Sequence, residues 1–210
     1  METVDLRSDT VTKPSPGMRQ AMADAEVGDD VFKEDPTVRR LQDKTAELLG
    51  TEDALYVPSG SMANQIAILV HCRPGDDVVL GRWGHSNLYE VGAGGAIGGV
   101  QFTVVGDTGL FTAAEAAAEI KPDNHHYAPT RLIMAENSHN RGGGLIFPLE
   151  SLRELRGLAD QHGIGFHIDG ARLLNAAVAS QTSPSVFGSI AHSLSLCLSK
   201  GLGAPVGSML

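Results

Sequence analysis

A lysine closes the alternating stretch SLSLCLSK at residues 193–200, and Gly201 and Gly203 follow it. A lysine amine becomes a nucleophile when desolvation lowers its pKa, and glycines leave room beside it for a bulky, flat ligand. An aspartate, Asp169, closes a second apolar run, GFHID at 165–169, with Arg172 three residues on. A third stretch, PSGSM at 58–62, sets hydroxyls and a glycine just before an apolar run, where backbone N–H groups at a helix start can face an anion. Each feature has a plain structural explanation. Lys200 can be a solvated strand end, Asp169 can cap the next helix or pair with Arg172, and Ser59 or Ser61 can cap its own helix. Together, an amine, a carboxylate and an anion cradle suit one ligand, pyridoxal 5'-phosphate. Its aldehyde takes a lysine amine as an imine, its ring nitrogen takes a carboxylate, and its phosphate takes the cradle.

His85, in RWGHSNLYE, follows the apolar run at 77–81 and offers a flat ring to stack on that cofactor. His125, His126 and His139 carry less information, because a histidine pair is most often a surface feature. No HExxH or CxxC accompanies them, so no metal site is expected. The turn at 58–62 lacks the lysine of a nucleotide-binding P-loop, and the glycines of VGAGGAIGGV at 91–100 are spaced too irregularly for a dinucleotide fingerprint.

These residues must be positioned by the elements between them. Residues 1–30 read as an irregular N-terminal segment that ends in the acidic turn VGDDVF, and residues 31–210 as one domain. Within it, helices are expected over 36–50, 62–71, 112–120, 149–162 and 171–178, the first closed by Gly50. Strands are expected over 54–57, 77–81, 101–105, 131–135, 165–168 and 193–199. Such alternation predicts an α/β fold, a mostly parallel sheet flanked by helices. Ligands of such sheets collect beyond the carboxyl ends of the strands. Glu136, Asp169, Lys200 and the Ser59–Ser61 turn all fall at that edge.

Composition bounds the rest. A chain of 210 residues with 42% hydrophobic and 20% charged residues reads as one globular domain, which at this size buries roughly 70% of its unfolded surface. A net charge of −9 without a basic stripe argues against nucleic-acid binding. Cys72 and Cys197 form no disulfide framework. The opening METVDLRSDTV has no apolar core of a signal peptide, and no run is long enough to span a bilayer, so a cytoplasmic, membrane-free protein is expected.

Seven blocks then appear in order: DLRSDTVTKPSPGM, VGDDVFKEDPTV, PSGSMANQIA, GHSNLYE, ENSHNRGGG, FHIDGARLLNA and CLSKGLGAPVGS. Together they resemble the low-specificity L-threonine aldolases, which belong to the fold type I, aspartate-aminotransferase-like pyridoxal-phosphate enzymes. The resemblance runs from residue 5 to 210. It implies retro-aldol cleavage of a β-hydroxy-α-amino acid, L-threonine or L-allo-threonine, to glycine and acetaldehyde. Lys200 matches the imine-forming lysine, Asp169 the partner of the pyridine nitrogen, and Arg172 an arginine beside cofactor and substrate. Gly60 and Ser61 match the phosphate turn, with SGS here where TGT is frequent. His85 matches the stacking histidine, His126 a second active-site histidine, and Ser8 a residue holding the substrate carboxylate. The base is His85 or His126. The ENSHN block has a serine where threonine is frequent, which keeps a hydroxyl in place. The resemblance also implies a dimer or tetramer, and a smaller C-terminal domain beyond Leu210 that supplies an arginine for the substrate. Two rival readings share these residues: a β-eliminating lyase or racemase, and a non-catalytic chain that binds cofactor or a partner subunit. Because GAPVGSML stops at the start of a strand, the sheet is expected to end there on an unprotected edge.

Overall fold

The computed structural model describes residues 4–210. Its elements in chain order are α1 Pro16–Ala23, α2 Pro36–Leu49, β1 Tyr56–Val57, α3 Gly60–His71, β2 Asp77–Gly81, α4 His85–Leu88, β3 Gln101–Val105, α5 Ala113–Glu119, β4 Thr130–Glu136, α6 Leu149–His162, β5 Gly165–Asp169, α7 Leu173–Ser180, α8 Pro184–Ile190, β6 Ser193–Cys197 and β7 Ser208–Met209. Local chemistry explains the boundaries. Asp35 caps α2 by accepting the N–H groups of Thr37 and Val38, Pro36 presets the first turn, and Gly50 ends the helix at φ 63°. Thr112 and Glu115 close α5 with a reciprocal capping box.

The seven strands lie in the order β1-β7-β6-β5-β4-β2-β3. The pairs from β3 to β6 are all parallel, while β7 runs antiparallel to both neighbours. The parallel strands β2 and β5 are almost wholly buried, as apolar runs under helices on both faces should be. Side chains alternate between two cores. Val79 and Ile133 join Leu49, Phe147, Leu152, Leu155, Phe166, Leu173 and Phe187 on one face. Val78, Leu80, Leu132 and Met134 face Ile68 and Val100 on the other. The α/β sheet expected from the sequence is therefore the one found.

Two expectations need correction. The first 30 residues are not irregular throughout, because Ser15 and Pro16 start α1. The glycine-rich stretch, to which the sequence assigned no element, forms a wide helical turn, Gly94–Gly98. Close packing requires glycine there: a Cβ at Gly94 would lie 2.4 Å from the Phe102 ring, and one at Gly98 2.8 Å from Ile68. The strand near the chain end is not an edge. β7 lies between β6 and β1, with Leu196 and Tyr56 both opposite Met209. The short β1, separated from β7 by most of the chain, covers it. Among the described residues, no helix is long and apolar enough to cross a membrane.

The N-terminal segment is tied to the sheet's carboxyl edge. Arg172 donates to both carboxylate oxygens of Asp9 at 2.7 and 2.8 Å, and Thr12 Oγ1 donates to the carbonyl of Lys200 at 2.7 Å.

Candidate functional site

Glu136 and Asp169 end the neighbouring strands β4 and β5 and face each other in register. Asp169 is 5% exposed. Its Oδ2 accepts from Asn64 Nδ2 at 2.8 Å, and its Oδ1 accepts from the Ala171 N–H at 3.1 Å and lies 3.5 Å from Ser195 Oγ. Two plain readings of Asp169 are thereby excluded. It does not pair with Arg172, which is engaged by Asp9. It does not cap α7, which starts two residues beyond Ala171 at Leu173, without a side-chain cap.

His85 opens α4 above this edge, and its N–H donates to Glu136 Oε2 at 2.9 Å. Its ring nitrogen Nδ1 lies 3.0 Å from Oε1 of Glu90. Glu90 is fully buried and also accepts from Asn64 at 2.8 Å and Gln65 at 2.6 Å. Its hydrogen bond raises the His85 pKa against the opposing effect of burial. Glu136 is pushed up to about 7, first by burial and then by repulsion from Asp169. His139 is also buried here; its Nδ1 accepts the Gly142 N–H, and Nε2 lies 3.9 Å from Glu136. Burial holds its pKa down.

The remaining sequence candidates divide. Ser59 caps α3 through the Met62 N–H, so the capping reading of that turn holds for Ser59. Gly60 and Ser61 are then the first two residues of α3, with backbone N–H groups that no helical carbonyl can reach. A Cβ at Gly60 would meet only Ser208 Oγ, at 3.5 Å, so the approach to this turn is open. Lys200 is half-buried in the turn after β6, near enough to Asp9 to help depress its pKa, behind the larger effect of Arg172. Ser8 caps the short turn at Asp9–Val11 by accepting from Thr10, beside the Asp9–Arg172 pair. Lys200, Asp169, Arg172, Ser8, Gly60, Ser61 and His85 thus share one edge of the sheet. His126 does not. It lies in the exposed loop before β4, its ring 3.8 Å from that of His125. Six residues of strand, roughly 20 Å, separate the start of β4 from Glu136 at its other end. Within this chain, the expected second histidine is at the opposite edge.

Several residues of this cluster escaped the sequence reading: Asp9, Asn64, Gln65, Glu90, His167 and Ser195. Asn64 and Gln65 carry a signal, as amides inside the apolar run MANQIAILV. Glu90 carries none. The ligand atoms of His85, Glu90 and Asp169 lie within 4.8 Å of one another, although no metal site was expected. The Asn64 amide donates to both carboxylates, so a neutral donor bridges that cluster.

A cationic aromatic ring fits here. Three buried carboxylates meet at one place, and among the described residues their only charged contacts are with histidines. A protonated ring nitrogen would offset that charge, and the open helix start and Lys200 stand on the same edge. The donor set fits pyridoxal phosphate.

The description "beta-eliminating lyase" belongs to the family matched over residues 5–210. The chain is 46% identical to the low-specificity L-threonine aldolase 1 of Arabidopsis thaliana over 215 residues, covering 100% of this chain and 60% of that protein. It is 43% identical to the low specificity L-threonine aldolase of Escherichia coli K12, covering 99% of this chain and 62% of that one. The chain therefore spans about three fifths of the length of these curated relatives. Among solved structures, the Leishmania major threonine aldolase superposes with a TM-score of 0.81 at 20% identity, covering 96% of this chain and 60% of that one. That likeness establishes the fold. With an almost unbroken family match on a sheet whose carboxyl edge carries the site, the chain belongs to the beta-eliminating lyase family.

Proposed function

We propose that this chain is the cofactor-binding part of a pyridoxal-phosphate-dependent threonine aldolase, which cleaves L-threonine or L-allo-threonine into glycine and acetaldehyde. One observation carries the reading: Asp169 is a buried strand-end carboxylate held by neutral donors, with no lysine or arginine pairing it among the described residues. When bound, the cofactor supplies an electron sink for the charge left on carbon when the Cα–Cβ bond breaks.

The chain's own residues do the rest. Lys200 supplies the amine for covalent attachment, and Asp169 keeps a proton on the ring nitrogen. The N–H groups of Gly60 and Ser61 bind the phosphate at the positive end of α3. Arg172, its fork already set by Asp9, and Ser8 stand where a substrate carboxylate approaches. His85 stacks on the ring and takes the proton from the substrate hydroxyl. His126 joins a site only if another copy of the chain brings it there, in keeping with a homo-oligomer. Fully exposed Val91 and half-exposed Leu88 and Tyr89, beside His85, offer that copy an apolar surface. Residues 31–210 act as the cofactor-binding domain, and the free, buried thiols of Cys72 and Cys197 suit the reducing cytoplasm.

The test is product identity. The full-length protein given L-threonine is expected to release acetaldehyde and glycine in equal amounts, and the Lys200→Ala variant neither. A pyruvate-type product or an inverted amino acid would instead mark an eliminating lyase or a racemase.

A further inference from the structure

We propose that Glu90 is a positioning residue for the reaction: it holds the proton on Nδ1 of His85, so that the neutral ring presents a free Nε2 lone pair to the substrate hydroxyl. The inference rests on the aldolase reading for its use, and on geometry alone for its substance.

The direction of the protons follows from one amide. Asn64 lies between two carboxylates and two neutral groups. If its carbonyl faced Glu90 and Asp169, three acceptors would crowd together without a proton, so its NH2 must face them at 2.8 Å each. Its oxygen then faces Ser195 Oγ at 3.1 Å and His167 Nε2 at 3.3 Å. His167 must therefore carry its proton on Nε2, and its bare Nδ1 accepts from Ser193 Oγ at 2.9 Å. This fully buried ring, held down to about 4 by desolvation, stays neutral and keeps that orientation.

Glu90 now has its acceptors committed. Oε2 accepts a hydrogen bond from Gln65 at 2.6 Å, and Oε1 accepts one from Asn64 at 2.8 Å and has its remaining direction toward His85 Nδ1 at 3.0 Å. A carboxylate offers only acceptors, so Nδ1 must be the donor. No protein group among the described residues hydrogen-bonds Nε2, and the side chain is 34% exposed. A free imidazole favours the opposite tautomer. Glu90 thus selects the form in which the accessible nitrogen is basic, as a carboxylate behind a catalytic histidine does elsewhere. The groups facing His85 are Tyr89 and Glu90 just after α4, Glu136 at the end of β4, Asp169 at the end of β5 and His139 beyond β4; the Tyr89 ring centroid lies 5.4 Å from that of His85. The three carboxylates all favour its protonated form, and of them only Glu90 hydrogen-bonds its ring.

The test reads the ring itself. In the full-length holoenzyme with 15N-labelled histidine, two-bond proton–nitrogen correlation distinguishes the tautomers, and His85→Phe assigns the signal. The expected result, read at a pH above the His85 midpoint, is an Nδ1-protonated His85 beside an Nε2-protonated His167. In Glu90→Gln, the His85 midpoint is expected to fall and the Nε2-protonated form to appear. Threonine cleavage should drop at least about tenfold, chiefly in kcat and with its acid limb moved to lower pH. An Nε2-protonated neutral His85 in the unsubstituted protein overturns the proposal, and so does a His85 titration that Glu90→Gln leaves unchanged. If Glu90→Gln does not fold, the spectrum of the unsubstituted protein decides alone. The spectrum needs no turnover, so a protein with the expected tautomer that releases no acetaldehyde would sink the aldolase reading and leave the role of Glu90 in fixing the tautomer standing.

Discussion

Two buried residues of the site titrate far from their usual ranges, and in opposite senses. Glu136 is raised to about 7 because burial and Asp169 both disfavour its charge. Its protonated form is the comfortable one, so its contribution to stability is full below the unfolded value of 4.5 and is lost as pH rises through about 7. His167 is lowered to about 4 by burial, so its contribution is full above the unfolded value of 6.5 and is lost as pH falls through about 4. Chemical denaturation across pH 4–8 should separate them. Glu136→Gln mimics the protonated carboxyl, because its NH2, like that carboxyl's own O–H, must meet the N–H of either His85 or Asn140. The variant is therefore expected to match the parent near pH 5 and to gain on it by on the order of a few kcal/mol by pH 8. His167→Gln should gain on its parent in the other direction, from pH 6.5 down to 4. A pH-independent offset in both variants would show that neither group is perturbed.

Among the elements, α3 does the most. It presents Gly60 and Ser61 at its start, Asn64 and Gln65 one turn on, and Ile68 to the core beneath. This is a helix with a polar end and an apolar body, and its seat is set by the Gly94–Gly98 turn packed against Ile68 and Phe102. Replacing Gly94 by Val would push side-chain carbons into the Phe102 ring, 2.4 Å from the new Cβ. Overpacking of this kind costs about 1–3 kcal/mol. We expect Gly94→Val to lower the thermal midpoint, and Gly95→Ala, where a Cβ would meet only one carbonyl at 3.9 Å, to leave it nearly unchanged. Equal effects at both positions would mean that the glycines serve the turn's backbone and not its packing.

On the scale of the whole molecule, the site is closed by contacts between distant parts of the chain. Asp9 and Arg172 stand 163 residues apart, and Thr12 and Lys200 188 apart. Both contacts pin residues 8–12 over the sheet edge. Asp9→Ala would leave the largely buried Arg172 without its partner and cost about 1–3 kcal/mol, since the pair retains some solvent screening. Hydrogen exchange is expected to speed up over residues 5–13 while β4 and β5 stay protected. Uniform acceleration across the sheet would mean that the pair supports the fold and not only the segment.

The sequence by itself determined what depends on near neighbours and on type. Short apolar runs such as DVVLG and GFHID announced buried parallel strands, and cap chemistry at Asp35 and Gly50 bounded α2. Strand ends placed Asp169, Lys200 and His85 at one edge, because every strand of a parallel sheet delivers its last residue to the same side. Spacing could not do as much for α4 and α8, four and seven residues long, which are too short to display a helical period. It could not foresee β7 inserted between β6 and β1, since that pairing joins residues near 56 to residues near 209. The partners of the charged groups were equally hidden. Arg172 lies three residues from Asp169 in sequence yet bonds Asp9, and Glu90 sits in an unremarkable loop yet accepts three hydrogen bonds in the interior. Burial and hydrogen-bond satisfaction belong to the packed molecule, where a polar group must take whichever partner the fold brings within about 3 Å. The residue types that could do the chemistry were legible in the sequence; which of them touch, and which nitrogen carries the proton, only the tertiary structure decided.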